Sequence, residues 1–283
     1  IKLRGEEIGR GELHSGQLLA MGPGAPQAGL QGLAVREPVF GLPALWISAD
    51  QRAEAEAAGL TVVEPAAIVA THLTELVGRH AGELLTRQDV QALLDQVKTT
   101  HPALVQELVP NLLTLSGVQQ VLKRLLREQV SIRDMVTILE ALADLVPAVK
   151  DLDVLVERTR EALARTLIRP YRSPQGDLSV VTLDPLLEQS LIDAVAPGQE
   201  GRQRLVLDPA RTQTLVDSIS EAVQRALAVA QHPILICSQY LRPHLREFVA
   251  RFIPQAVVLS YPEVTGAAVV QTVATVRSAA VAA

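Results

Sequence analysis

The sequence predicts a mixed α+β chain of several subdomains: small βαβ units at the N-terminal end, a central helical subdomain and a C-terminal α/β subdomain. Three observations carry that expectation. Glycines and short strand-like runs crowd the first 64 residues, and a helical apolar period runs from Pro65 to about Leu167. From Leu178 onward, strand-like and helix-like segments alternate. Hydrophobic residues make up 48% of the 283 and charged residues 20%, which excludes a disordered chain. Aromatics are scarce, with three Phe, three Tyr and one Trp, so the core is built from Leu, Val, Ile and Ala.

At the N-terminal end, residues 1–4 and 7–12 read as a hairpin around Gly5, and Gln17–Met21 as a short strand. Gly22-Pro-Gly-Ala-Pro26 is a loop, because proline removes backbone donors and glycine frees φ. A strand over 44–47 leads into a helix over 50–58, with Ser48 as its cap and Gln51 completing a capping box. Gly59 stops that helix and a strand resumes over 60–63, a compact βαβ pattern.

Pro65 suits the first turn of the next helix, where its missing N–H is no loss. Thr86-Arg-Gln-Asp89, Ser116-Gly-Val-Gln119 and Ser131-Ile-Arg-Asp134 are helix-start signatures. Val118, Val121, Leu122, Leu125 and Leu126 form one apolar face after the second; Ile132, Met135, Leu139 and Leu142 do so after the third. His101-Pro102 and Val109-Pro110 mark breaks between helices.

In the last third, Leu178–Leu183 reads as a strand and Asp184-Pro185 starts a helix. A polar loop covers 197–204, and a long helix runs from Asp208-Pro209 to about Gln231. A strand over 234–238, the helix Arg242–Phe252 and strands over 256–260 and 269–276 follow, with a loose tail over 278–283.

Charge narrows the function classes. The 31 Asp+Glu outnumber the 26 Lys+Arg, so the basic footprint of a nucleic-acid binder is missing. The single cysteine, Cys237, lies in an apolar run and reads as a buried strand residue. The longest uncharged stretch, 13–35, is broken by glycines and prolines, so no membrane span is expected, and no secretory signal is seen. The start at Ile1, in mid-strand, reads as part of a longer polypeptide.

No catalytic constellation stands out. Gly22-Pro-Gly24 lacks a donor that a phosphate loop needs, and no nucleophile elbow is present. His72 and His80 are eight apart, too far to share one metal ion. No enzyme, metal or cofactor is expected; the enzymatic alternative is a small-molecule transferase using His72 and Glu75. What remains is a surface argument. Arg36-Glu-Pro-Val-Phe-Gly-Leu-Pro43 places Phe40 between turn formers, just before a strand that carries Trp46. Either Phe40 and Trp46 plug a small core together, or Phe40 offers a partner an apolar anchor, with Glu37 as a rim charge.

Further segments specify a family. Phe40-Gly-Leu-Pro-Ala-Leu-Trp-Ile47 is followed by Gly59-Leu-Thr-Val-Val-Glu-Pro65, Val69-Ala-Thr-His-Leu73, Glu107-Leu-Val-Pro-Asn111 and Val121-Leu-Lys-Arg-Leu-Leu-Arg-Glu128. Val130-Ser-Ile-Arg-Asp134, Thr182-Leu-Asp-Pro185, Leu241-Arg-Pro243 and Val257-Val-Leu-Ser260 complete the series. In this order they resemble the cytosolic domain of the flagellar type III export gate protein, the FlhA family, with virulence secretion gate proteins as relatives. The Ala-Thr-His-Leu run favours the flagellar branch.

The resemblance implies a membrane-anchored parent at the cytoplasmic face of the bacterial inner membrane, whose cytosolic part has four subdomains and forms a nonameric ring. Its implied partners are export chaperones with bound filament-type substrates and other export components, including the ATPase complex. It implies no nucleic acid, no membrane contact by this segment and no enzymatic activity. The subdomains map to 1–16 with 65–85, 17–64, 86–164 and 165–283. By the same resemblance, the chaperone groove takes in Glu37, Phe40, Thr71 and Pro23. Glu37 departs from the Asp often found at its position, and the family's first subdomain has further sequence upstream of Ile1.

Overall fold

The computed structural model describes residues 1–25, 29–39, 41–197, 203–228, 232–267 and 269–277. The chain divides into two units, Ile1–Thr86 with Leu126–Gln129, and Arg87–Leu125 with Val130–Ala283. The architecture is mixed α+β throughout, as the sequence predicts.

In the first unit, β1 (Lys2–Leu3) and β2 (Glu6–Glu7) form the expected hairpin, narrower than the sequence suggested. Gly5 turns it with φ +94°, a region side chains rarely adopt. Then come β3 (Gln17–Met21), β4 (Leu33–Arg36), β5 (Pro43–Ser48), α1 (Arg52–Ala57), β6 (Thr61–Val63) and α2 (Pro65–Leu84). The strand order is β4-β5-β3-β6 and every pair is antiparallel. The βαβ pattern is therefore split: β5 and β6 run in the same direction, with β3 between them.

Alternation along β3 and β5 fills both faces of this sheet. Leu18, Ala20, Leu45 and Ile47 pack with Ala55 of α1, whereas Leu19, Ala44 and Trp46 pack with Ile68 of α2. Two expectations are corrected here. Edge strand β4 was not anticipated, because its outer residues are exposed and Gly29 and Gly32 precede it. Ser48 forms no capping box: its Oγ bonds the Gln51 side chain at 3.1 Å, and a 3-10 turn over Ala49–Gln51 comes before α1.

The second unit opens with α3 (Arg87–Thr100) and α4 (Pro102–Glu107), then a π-turn over Leu108–Leu112 containing the cis Val109-Pro110 bond. α5 (Leu115–Arg127), α6 (Met135–Leu145), α7 (Leu152–Ala162) and α8 (Ala164–Ile168) follow. Most of the predicted apolar positions are buried, Val118, Val121, Leu122 and Leu125 on α5 and Met135, Leu139 and Leu142 on α6, whereas Leu126 is half-buried and Ile132, also half-buried, lies before α6. Two predicted starts are displaced. Ser116 lies inside α5, where Thr114 Oγ1 accepts from Gly117 N–H at 3.1 Å. Ser131 lies before α6, whose N-cap is Asp134, accepting from Thr137 N–H at 3.2 Å. In both places another good capping residue stands at the actual boundary.

The chain then forms β7 (Leu178–Leu183), α9 (Pro185–Asp193), β8 (Val195–Pro197), β9 (Gln203–Leu205), α10 (Pro209–Leu227), β10 (Ile234–Cys237), α11 (Arg242–Phe252), β11 (Val257–Ser260) and β12 (Val270–Val276). The sheet is parallel, in the order β11-β10-β7-β12. Asp184 and Asp208 cap α9 and α10, as their Asp-Pro pairs predict. Apolar runs form the strands because both faces are covered. Val181, Leu183, Leu235, Cys237 and Val258 lie under α9, α10 and α11; Leu178, Val180, Ile234, Ile236 and Leu259 pack against Ile168 of α8. Cys237 is free and buried, and burial pushes its thiol pKa well up.

The predicted polar loop over 197–204 is corrected: β8 and β9 pair as an antiparallel ribbon, with 198–202 outside the described residues. So short a ribbon rests on backbone bonds and leaves no apolar run to read. The predicted tail over 278–283 also lies outside the described residues. Two buried ion pairs tie α7 to the sheet layer. Arg160 Nε donates to Glu263 Oε1 at 2.7 Å, and Arg242 forms a two-pronged pair with Glu157. Among the described residues, no helix is long and apolar enough to cross a membrane.

Candidate functional site

The turn between β4 and β5 is held by its own polar groups. Glu37 N–H donates to Leu42 O at 2.9 Å, and Gly41 N–H donates to Glu37 O at 3.0 Å. Arg36 Nη1 also reaches Gly41 O at 3.0 Å. Inside the turn, Glu37 Oε1 accepts from Val39 N–H at 2.5 Å, and Glu37 is only 3% exposed. Its carboxylate therefore shapes the turn from within, which corrects the expectation of a rim charge. Phe40 lies outside the described residues.

Neighbouring contacts link this turn to residues 9–11, and residues 9–11 to α2. A Cβ on Gly11 would lie 3.3 Å from Pro38 Cβ and 3.7 Å from His72 Nδ1. A Cβ on Gly9 would lie 2.5 Å from Leu76 Cδ1 and 3.0 Å from His72 Nε2. Residues 9–11 thus form a strap that passes close to α2 and, at Gly11, to Pro38 of the turn as well, and a Cβ at Gly9 would require the end of the Leu76 side chain to shift. Thr71 is exposed on α2 beside the buried His72. Pro23 is exposed in a loop anchored to the end of the same turn, where Gly22 N–H donates to Pro43 O at 3.1 Å. Beneath them Trp46 is 3% exposed and belongs to the core, its ring 5.2 Å from that of His14.

The enzymatic alternative gains no geometry. His72 is buried against the strap, and Glu75 accepts from Arg79 Nε at 3.0 Å. His80 bonds Glu83 at 2.9 Å, and no group of three His, Cys, Asp or Glu among the described residues could hold a metal ion.

One apolar surface was not anticipated from the sequence. Val69, Leu73 and Val77 are 43%, 46% and 47% exposed and form an apolar stripe along α2, on a different side of the helix from Thr71. The signal was present: they repeat every four residues, one position on from the buried Ile68, His72 and Leu76. A helix apolar on two adjacent faces has a second contact surface to cover.

A split antiparallel sheet, a helical layer and a parallel sheet make up the described fold of a protein of the FHIPEP family. The chain belongs to that family, whose profile matches residues 1–268. More particularly, it is 38% identical over 276 residues to the flagellar biosynthesis protein FlhA of Bacillus subtilis (strain 168), covering 98% of this chain and 41% of that protein. It is 39% identical over 265 residues to FlhA of Borreliella burgdorferi, covering 93% and 37%. The chain thus spans about two fifths of the length of these curated relatives. Among solved structures, Chlamydia pneumoniae CdsV superposes with a TM-score of 0.81 at 25% identity, covering 97% of this chain and 79% of that one. The nonameric EPEC SctV-C, at 0.77 and 23% identity, covers 96% and 81% and shares the fold.

Proposed function

We propose that the chain is the cytosolic docking and ring-forming platform of a flagellar type III protein export gate. Its first unit binds export chaperones loaded with filament-type substrates and so helps to order export. The observation that supports this is the self-braced β4–β5 turn, approached at Pro38 by Gly11, which also nears His72 of α2, the helix that carries Thr71, in a chain 38% identical to a flagellar biosynthesis protein. Phe40 is the apolar anchor, worth about 1.5–3 kcal/mol when buried by a partner. Thr71 orients the partner by a hydrogen bond worth about 0.5–1.5 kcal/mol net, and Glu37 acts indirectly, by fixing the turn. Such sums suit the reversible binding a transit station needs.

The identity to flagellar proteins exceeds the 25% to CdsV and favours the flagellar branch over a virulence gate. The nonameric SctV-C and a chain solved as a CdsV and CdsO protein complex support ring assembly and contact with a further protein; contact with the ATPase complex is part of the same proposal. The site then faces the cytoplasm at the bacterial inner membrane, and no chemical step, cofactor or metal belongs to the role. Isothermal titration of a cognate chaperone–substrate complex into the chain tests this. Thr71→Arg is expected to abolish binding while melting stays unchanged; undiminished binding would remove Thr71 from the site.

A further inference from the structure

Aromatic side chains are rare in this chain, yet Tyr240, Phe248 and Phe252 align with His244 at four-residue spacing along α11 and the turn leading into it. That spacing places them along one side of the helix. The Tyr240 and His244 rings are 5.8 Å apart and near perpendicular, and those of Phe248 and Phe252 are 5.2 Å apart and tilted. Leu245 and Val249 of the same helix are buried in the sheet core, so α11 is fixed from behind. Phe248 rests partly on that core, whereas Tyr240 and Phe252 are 49% and 48% exposed.

Facing the aromatics are β9 and the two residues after it. Tyr240 Oη donates to Gln203 Oε1 at 3.1 Å, which fastens this ribbon to the start of α11. Between them lies a cleft of about 270 Å³, with Leu205, Leu207, Phe248 and Phe252 as its apolar wall and Arg204 and Arg251 among its lining. Small-molecule pockets hold roughly 300–1,000 Å³, so this volume suits one or two anchoring side chains of a longer partner. Exposed aromatics beside arginines are the residue types that dominate protein interfaces.

The charge of the cleft selects the partner. Arg204 and Arg251 outweigh Glu247, which accepts from Arg251 at 2.8 Å, in a chain whose net charge is −5. A locally basic rim around an apolar floor attracts the opposite sign. We propose that the α11–β9 cleft docks an acidic peptide segment carrying large apolar anchors. The anchors pack on Phe248 and Phe252, and flanking carboxylates pair with Arg204 and Arg251. This surface lies in the second unit and is independent of the turn that carries the proposed chaperone site.

Fluorescence anisotropy on the full 283-residue chain tests it. The probe is a labelled amphipathic peptide with leucines at i, i+3, i+4 and i+7 and glutamates between, compared with the same peptide carrying lysines instead. The glutamate peptide is expected to bind at least about tenfold more tightly than the lysine peptide. Phe252→Ala and Arg204→Glu, both at exposed positions, are each expected to weaken it by about tenfold or more with circular dichroism unchanged. Phe40→Ala is expected to leave it untouched. Equal affinity for the two peptides, or binding indifferent to both cleft variants, would overturn the proposal. So would sedimentation showing that the cleft joins two copies of the chain and that Phe252→Ala separates them.

Discussion

Glu37 shows how a single side chain can serve a surface from the inside. A buried carboxylate that accepts a backbone N–H at 2.5 Å fixes the turn on which Phe40 is carried in sequence. Glu37→Ala is expected to cost about 1.5–3 kcal/mol, the range for hydrogen bonds to charged groups, and urea denaturation measures it. His244 supplies a pH dependence. Burial pushes its pKa below the usual 6.5; Arg242 acts in the same direction and Glu247 against it. The folded ring stays neutral where the unfolded ring has taken up a proton, so the unfolded state binds more protons and stability falls as the pH drops below about 6.5. Melting temperatures between pH 7.5 and 5 should therefore fall further for the wild type than for His244→Gln, and parallel curves would refute this. Residue identities were legible wherever an apolar run implied burial, as at Cys237 and Trp46. Glu37 was not, because a charge in a Pro- and Gly-rich segment looks the same in sequence whether it faces out or folds back on its own backbone.

At the scale of elements, periodicity located most helices and strands, and boundaries went astray where two capping residues compete. Asp134 caps α6 and Ser131 does not, so Asp134→Ala is expected to cost about 0.5–2 kcal/mol and Ser131→Ala less than about 0.5 kcal/mol. Chemical denaturation of the two variants separates them. Helices α9 and α10 were legible from their Asp-Pro starts. Edge strand β4 and the β8–β9 ribbon were not, since their pairs are short, with exposed or half-buried residues and no buried apolar run. The stripe Val69–Leu73–Val77 is visible as four-residue spacing, but sequence gives a helix's apolar positions without saying which of them a neighbour covers.

For the whole molecule, each unit carries its own core and its own probe. Trp46, the chain's single tryptophan, is buried in the first unit, so its fluorescence reports that unit's unfolding. In the second unit the Arg242–Glu157 pair is buried between α7 and α11. Arg242→Met leaves Glu157 without this partner and is expected to cost about 3–5 kcal/mol, whereas pairing it with Glu157→Leu recovers most of the loss; calorimetry distinguishes the two. The first unit's core supports the surface proposed to dock chaperone–substrate complexes. Titration of a cognate chaperone–substrate complex into wild type and Phe40→Ala, with melting followed in parallel, tests it most directly. The variant is expected to lose binding and keep the wild-type melting temperature; full binding by the variant, or loss of fold along with loss of binding, would contradict the role assigned to Phe40.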